Sequence, residues 1–222
     1  MLREIAHFIR IAPPLLKLQK EMPQARFFDE LSTRIDGEGF DKVRSALIGD
    51  LEGRVLEVGG GTGAMFPYYG PAAKVDAIEP DREFLAIAEE RAHRTGGRVR
   101  VGHGDGMALD FPDASFDAVV FGMVLCSVPS MERALAEAHR VLRPGGKLRA
   151  LEHVRSTRRL SGAAMDLFNP FWLKMNKQGC NLNRRPREAI ASAGFVIEQV
   201  RELQFFYKAL PAFPLLQIMA SR

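Results

Sequence analysis

The chain has 222 residues, 46% of them hydrophobic, and a formal net charge of +4 from 31 basic and 27 acidic residues. This is enough apolar content for one sizeable core, so we expect a single domain spanning residues 1–222. The charges are interspersed without a long basic run, which argues against a nucleic-acid partner.

Two cysteines exclude a disulfide framework, no signal peptide opens the chain, and no apolar run reaches the length of a membrane span. We therefore expect a cytoplasmic protein.

The N-terminal segment, residues 1–45, begins with an amphipathic pattern in residues 1–20. Its apolar positions share one helical face and are Leu2, Ile5, Ile9 and Ala12. Basic residues surround that face, and Pro13 and Pro14 end the predicted helix. Two interpretations remain open: a lid that packs over a ligand cleft, or a peripheral contact with a membrane surface.

A glycine-rich loop follows the first predicted strand. Three of the five residues in 54–58 are apolar, as in a short strand buried on both faces. Gly59, Gly61 and Gly63 come next, and glycines can adopt positive φ and leave no Cβ in the way of a ligand. The loop is therefore predicted to aim free N–H groups at a small molecule.

The glycine loop alone leaves two classes of cofactor open. Gly59, Gly61 and Ala64, with Glu79 about twenty residues later, also fit the dinucleotide fingerprint of an NAD-dependent oxidoreductase. Glu79 ends a predicted strand, where its carboxylate could accept two hydrogen bonds from ribose hydroxyls. Asp105 follows the next strand, where a short acceptor could take the exocyclic amine of adenine.

The remaining pattern alternates strands and helices. Strands are predicted at 54–59, 74–79, 98–102, 116–125, 147–153, 195–202 and 214–220. Asp81 and Ser130 are predicted to cap two of the intervening helices. The alternation indicates a Rossmann-like, doubly wound, mainly parallel sheet in an α/β fold. Between the last two strands, residues 204–213 hold aromatics and Pro211 instead of a helical pattern.

Residues 111–117 and 141–147 have no counterpart in a nicotinamide domain. In order and spacing, residues 50–153 resemble the class I S-adenosylmethionine-dependent methyltransferases. The resemblance implies seven strands with an antiparallel last strand, and S-adenosyl-L-methionine as the cofactor. It assigns the methionine portion to the glycine loop, the ribose to Glu79 and the adenine to Asp105 and its neighbours. The cofactor-binding residues it implies are Glu57, Gly59, Gly61, Gly63, Glu79, Pro80, Asp105, Gly106 and Met107.

Four short blocks carry a narrower resemblance. Residues 61–69, 124–128, 151–154 and 179–182 are similar to the methyltransferase-like seven group, membrane-associated enzymes that methylate small thiols. That group carries a longer hydrophobic N-terminal anchor than this chain. The resemblance implies a small-molecule acceptor, with an apolar thiol favoured. An N-, O- or C-methyltransferase acting on an amine, phospholipid, quinone or polyketide-like compound is the alternative, and a cofactor-binding protein without transferase activity is another.

The acceptor side of the site is predicted from residues that follow the strands. His153 ends the fifth strand and is the candidate general base, although it could instead hydrogen-bond the loop. Two thiols without a nearby third ligand predict no metal site. Residues 154–194 are expected to recognise the acceptor and residues 195–222 to form the terminal hairpin. The candidate substrate contacts are Cys126, Phe168, Trp172, Cys180 and Asn181, for which core packing or a turn is the alternative.

Overall fold

The computed structural model describes residues 21–176, 178–203 and 214–222. Over these ranges seven strands form one sheet in the order β3-β2-β1-β4-β5-β7-β6. The strands are β1 (Gly53–Val58), β2 (Ala73–Glu79), β3 (Val99–His103), β4 (Phe116–Gly122), β5 (Leu142–His153), β6 (Val196–Leu203) and β7 (Leu215–Ser221). Strands β1 to β5 pair in parallel, and β7 is antiparallel to both β5 and β6. The predicted seven-stranded sheet with an antiparallel last strand is confirmed.

In the described part of the chain, two α-helices precede β1 and four lie between later strands. They are α1 (Gln24–Ile35), α2 (Asp41–Ile48), α3 (Arg82–His93), α4 (Met131–Val141), α5 (Arg159–Met175) and α6 (Pro186–Ser192). The Asp81 carboxylate accepts the N–H groups of Glu83 and Phe84, and the Ser130 hydroxyl accepts that of Arg133. Both predicted helix caps are therefore confirmed, and each satisfies backbone donors that the first helical turn leaves unpaired.

The core occupies both faces of the sheet. Because successive strand side chains point to opposite faces, Leu56 packs in one cluster with α4, while Val55 packs in the other with α2 and α3. Strand β1 is thus buried on both sides, as its run of apolar residues predicts. This double burial fixes the carboxyl end of β1, and with it the start of the glycine loop.

Two predicted strand boundaries are wrong. Strand β4 ends at Gly122 rather than at residue 125, because the N–H groups of residues 124–126 turn away to donate to the Glu152 carboxylate. Strand β5 begins at Leu142 rather than at residue 147, with an irregular pairing to β4 around Gly145, whose φ is 76°.

Two predicted segments fall outside the described residues. These are residues 1–20, for which a lid or a membrane contact is predicted, and residues 204–213 between the last strands. Within the described ranges, every helix is too short or too polar to span a lipid bilayer.

Candidate active site

The carboxyl ends of the parallel strands meet along one edge of the sheet, where ligands bind in doubly wound folds. The glycine loop leaves β1 at this edge. Gly59, Gly61 and Gly63 have φ values of 68°, 57° and 79°, so all three adopt the conformation that favours glycine. A Cβ on Gly59 would lie 2.6 Å from the Val124 side chain, whereas nothing lies within 4 Å of a Cβ on Gly61. The loop is therefore packed tightly at Gly59 and open at Gly61.

Glu57 lies at the buried end of β1. Its side chain accepts a hydrogen bond of 2.8 Å from the Tyr69 hydroxyl, and the residue is only 2% exposed. Burial raises the pKa of Glu57 to about 7, while the Tyr69 hydrogen bond and the Arg44 guanidinium act in the opposite direction. A cationic ligand group placed beside this carboxyl would favour its ionised form.

Glu79 connects the end of β2 to the glycine loop. One carboxylate oxygen accepts the Gly61 N–H at 2.8 Å, and the other accepts the Asp81 N–H at 3.0 Å. Burial raises the pKa of Glu79, and these two backbone bonds lower it. A carboxylate has about four lone-pair positions, so Glu79 retains acceptor capacity for a ligand. Pro80 follows at the surface.

Asp105 lies in the turn after β3. Its side chain is exposed, and one oxygen accepts the Met107 N–H at 2.8 Å. A Cβ on Gly106 would lie 2.5 Å from the Val58 side chain, so this glycine lets the turn pack against the end of β1. The structure thus brings Glu57, Glu79 and the turn at Asp105 to neighbouring strand ends, the arrangement that the predicted cofactor site requires.

The loop after β4 is held on both sides. The Glu152 carboxylate, which is fully buried, accepts the N–H groups of Val124, Leu125 and Cys126 at 2.9, 2.9 and 3.1 Å. Burial raises the pKa of Glu152 well above its usual range, against the effect of these three donors. Sequence reasoning missed Glu152, although a carboxylate in the apolar fifth strand is a usable signal because buried acids need partners.

The loop after α5 binds the same segment from the other side. The backbone N–H and the side-chain amide of Asn181 both donate to the Cys126 carbonyl, at 2.8 and 3.1 Å. Arg184 donates to the Leu125 carbonyl at 2.6 Å. The predicted acceptor residue Asn181 therefore makes contacts that position this loop. Asn169, which sequence reasoning missed, donates to the Asn181 side chain at 3.2 Å.

Cys126, His153 and Cys180 lie together where these loops meet β5. The Sγ of Cys180 is 3.7 Å from Nδ1 of His153, and one ligand atom from each residue lies within 4.8 Å of the others. The premise that no third ligand lies near the two thiols is therefore wrong. A hydrogen bond between the thiols raises the pKa of Cys126 and lowers that of Cys180.

The aromatic segment forms part of α5. Phe168 and Phe171 have ring centroids 5.3 Å apart and are 46% and 56% exposed, and Trp172 is half-buried. Core packing, the alternative to a substrate contact for Phe168, is thus wrong. The helix presents apolar side chains at the surface instead, next to the loop that carries Asn181.

The fold and the site define a class of protein. A sheet with an antiparallel seventh strand, a glycine loop after β1 and a carboxylate at the end of β2 together match the pattern of a class I methyltransferase. The family described as methyltransferase domain matches residues 56–150. Thiol S-methyltransferase TMT1B of Rattus norvegicus is 33% identical over 205 residues, covering 85% of this chain and 83% of the rat protein.

Further comparisons agree on the family. Thiol S-methyltransferase TMT1A of Homo sapiens is 38% identical over 68% of this chain, and the match spans 63% of the human protein's own length. The ubiquinone/menaquinone biosynthesis C-methyltransferase UbiE of Methylobacterium nodulans is 38% identical over 58% of this chain and 55% of its own. A geranyl diphosphate methyltransferase solved in complex with S-adenosylmethionine has a TM-score of 0.64 at 17% identity, covering 86% of this chain and 90% of that one.

This chain belongs to the class I S-adenosylmethionine-dependent methyltransferases and is similar to the thiol S-methyltransferases among them. S-adenosylmethionine is accordingly its cofactor, and the dinucleotide alternative is wrong.

Proposed function

We propose that the protein transfers the methyl group of S-adenosylmethionine to the sulfur of a small apolar thiol. The observation that carries this proposal is the meeting of Cys126, His153 and Cys180 at the carboxyl end of β5. Two sulfur atoms and an imidazole offer soft, polarisable groups, which suit a sulfur acceptor. Glu152 is the buried acid closest in sequence, and three backbone N–H groups occupy its carboxylate, so it is poorly placed to bind an amine.

The residues present fit the cofactor. The open space at Gly61 leaves room for a ligand against the loop backbone, and the Glu79 carboxylate lies beside it, bound to the Gly61 N–H. We assign Glu57 to the amino end of the methionine portion, Glu79 to the ribose hydroxyls and the Asp105 turn to the adenine. When bound, S-adenosylmethionine supplies a methyl group already activated by its sulfonium.

The protein's main contribution to this reaction is alignment. Methyl transfer is an in-line displacement, and correct positioning of two reactants supplies about 7–11 kcal/mol in well-oriented cases. The acceptor sulfur forms a bond to the methyl carbon as the carbon–sulfonium bond breaks, which yields a methyl thioether and S-adenosylhomocysteine. The acceptor must also lose its proton, because a free thiol titrates near 8.5. We assign His153 to assist this loss.

Acceptor competition tests the proposal. An apolar alkyl thiol, an ethanolamine lipid and a hydroquinone, mixed at equal concentration with methyl-labelled cofactor, should yield label mainly in the thioether. His153→Ala should lower the rate, whereas the matched control His93→Ala, at the exposed end of α3, should not. Preferential labelling of the lipid or the hydroquinone would replace the thiol acceptor with the N-, O- or C-methyltransferase alternative.

A further inference from the structure

The cluster of Cys126, His153 and Cys180 has the composition of a zinc site. Zinc in proteins takes thiolate and imidazole ligands, and catalytic sites use three protein ligands with a fourth position left for substrate. Two cysteines and one histidine form one such set. The three ligand atoms come from three separate segments of the chain and converge within 4.8 Å.

The distances fit tetrahedral coordination after a small adjustment. Ligand atoms at about 2.0–2.3 Å from a tetrahedral zinc ion are about 3.3–3.8 Å apart. The separation of 3.7 Å between Cys180 Sγ and His153 Nδ1 lies within this range. The widest separation, at most 4.8 Å, would close by about 1 Å, which rotation of the cysteine side chains can supply.

The backbone that carries the ligands is held firmly. The N–H of Cys126 binds Glu152 at 3.1 Å, and its carbonyl accepts two hydrogen bonds from Asn181. The carbonyl of Cys180 accepts a hydrogen bond of 2.6 Å from the Asn176 side chain. His153 is the last residue of β5 and pairs with Leu215 of β7. These contacts fix the backbone from which the three ligand side chains extend.

The surroundings leave one side of the cluster accessible. Cys126 is buried, whereas His153 and Cys180 are half-buried, so an approach from their side can reach a fourth position. The loop that carries Cys126 also carries Val124, whose side chain contacts Gly59 in the glycine loop. The loop that supplies one ligand of the cluster therefore also packs against the predicted cofactor site.

We propose that Cys126, His153 and Cys180 bind one zinc ion, and that its fourth position takes the acceptor as a thiolate. This inference rests on the proposed thiol acceptor and specifies how His153 assists: it acts as a ligand through Nδ1. The acceptor's S–H bond breaks when its sulfur binds zinc, and the proton passes to solvent, since a coordinating thiol is deprotonated outright. A sulfur lone pair then forms the bond to the methyl carbon, and the electrons of the carbon–sulfonium bond leave with S-adenosylhomocysteine.

The charges also balance. Two cysteine thiolates neutralise Zn²⁺, so the zinc site without acceptor carries no net charge. A bound acceptor thiolate adds one negative charge, which the sulfonium of the neighbouring cofactor offsets. A low local dielectric strengthens this attraction and brings the two reacting groups together.

Metal binding by the full chain tests the inference. We expect the protein, purified with a phosphine reductant and zinc, to retain about one zinc per chain by elemental analysis. Cobalt substitution should give thiolate-to-cobalt charge-transfer absorption that changes when an apolar alkyl thiol is added. Cys126→Ser, Cys180→Ser and His153→Ala should each lower zinc affinity at least tenfold, whereas His93→Ala should leave it unchanged.

The outcomes separate this inference from the proposed function. Thiol methylation without stoichiometric zinc, or zinc binding that survives both cysteine substitutions, would overturn the zinc site and leave the thiol acceptor standing. Loss of both free thiols to a disulfide under these reducing conditions would overturn it too. Zinc bound as expected, with methylation only of the lipid or hydroquinone, would overturn the thiolate step together with the thiol acceptor. Because Cys→Ser variants can misfold, each is first checked for a cofactor-induced thermal shift.

Discussion

Glu57 combines the energetic cost of a buried acid with a proposed role in cofactor binding. Its carboxyl is buried at the end of β1 with the Tyr69 hydroxyl as its hydrogen-bond partner, and burial raises its pKa to about 7 from 4.5. The folded protein therefore binds a proton at Glu57 more tightly than the unfolded chain does. The stability from this proton is fully present below pH 4.5 and is lost as the pH rises through 7.

The variant Glu57→Gln removes this titration and keeps an acceptor for Tyr69. Without cofactor, the free energy of unfolding of the unaltered protein should fall relative to that of the variant by about 2–3 kcal/mol between pH 4.5 and pH 8. Urea denaturation at several pH values measures the difference, in which the other titrating groups cancel. Parallel pH profiles for the two proteins would show that Glu57 is not desolvated in this way.

Gly59 and Gly61 offer a matched pair of substitutions. Both have positive φ, so alanine at either should cost about 1–2 kcal/mol from backbone strain. Gly59→Ala should cost more, because its Cβ would meet the Val124 side chain at 2.6 Å, and adding Val124→Ala should recover part of the loss. Gly61→Ala creates no such clash, but its Cβ would enter the open space proposed for the ligand and should weaken cofactor binding at least tenfold.

Thermal unfolding and calorimetric titration with S-adenosylmethionine separate the two effects. If Gly61→Ala binds the cofactor as tightly as the unaltered chain, the ligand does not lie against this part of the loop. The expected contrast follows from the open space at Gly61 and the crowded space at Gly59.

Among the elements, the loop after β4 depends most on distant residues. Three of its N–H groups donate to the Glu152 carboxylate of β5. Two of its carbonyls accept hydrogen bonds from Asn181 and Arg184, which follow α5 in the chain. One buried carboxylate thus sets the geometry on which Cys126 depends. This loop, rather than a longer β4, is the element that positions Cys126.

Glu152→Gln should release Cys126 in particular. The amide oxygen can still accept from Val124 and Leu125, but the amide NH2 then faces the N–H of Cys126, and two donors cannot bond. We expect a loss of about 1–3 kcal/mol in the free energy of unfolding, together with a lower turnover rate. Glu202→Gln, at an exposed position on β6, is the matched control and should change stability by less than about 0.5 kcal/mol. Equal stability of both variants would contradict this role of Glu152.

Local pattern predicted the elements better than the site. Strands β1 and β2 and the caps at Asp81 and Ser130 follow from apolar runs and spacing that lie close together in the sequence, whereas the antiparallel last strand is implied by the family resemblance. In the cluster of Cys126, His153 and Cys180, each cysteine is 27 residues from the histidine, so no local sequence pattern predicts that they meet. The roles assigned to the cofactor residues remain predictions.

At the scale of the whole molecule, cofactor binding should stabilise the folded state. At a concentration one hundred times the dissociation constant, S-adenosylmethionine should add about 2.7 kcal/mol to the free energy of unfolding. For a chain of this size that corresponds to a rise in Tm of about 5–10 °C. Differential scanning calorimetry measures the shift, and NADH at the same concentration is the control. A shift with NADH alone would be incompatible with the family assignment.

The chain divides into segments with different proposed roles. We propose that residues 50–153 form the cofactor-binding core, that residues 154–194 recognise the acceptor, and that residues 195–222 complete the fold as the terminal hairpin. Strand β7 lies between β5 and β6, and its backbone bonds continue to Arg222, which pairs with Gly145 and Gly146.

This strand order constrains folding during synthesis. A ribosome that adds about 5–20 residues per second delivers β5 and β6 before the strand that must separate them. Until β7 is synthesised, the edge of β5 that pairs with β7 remains unpaired, and unpaired strand edges can pair with the wrong strand. The sheet can therefore be completed only after β7 has been synthesised, because β7 joins β6 to the rest of the sheet.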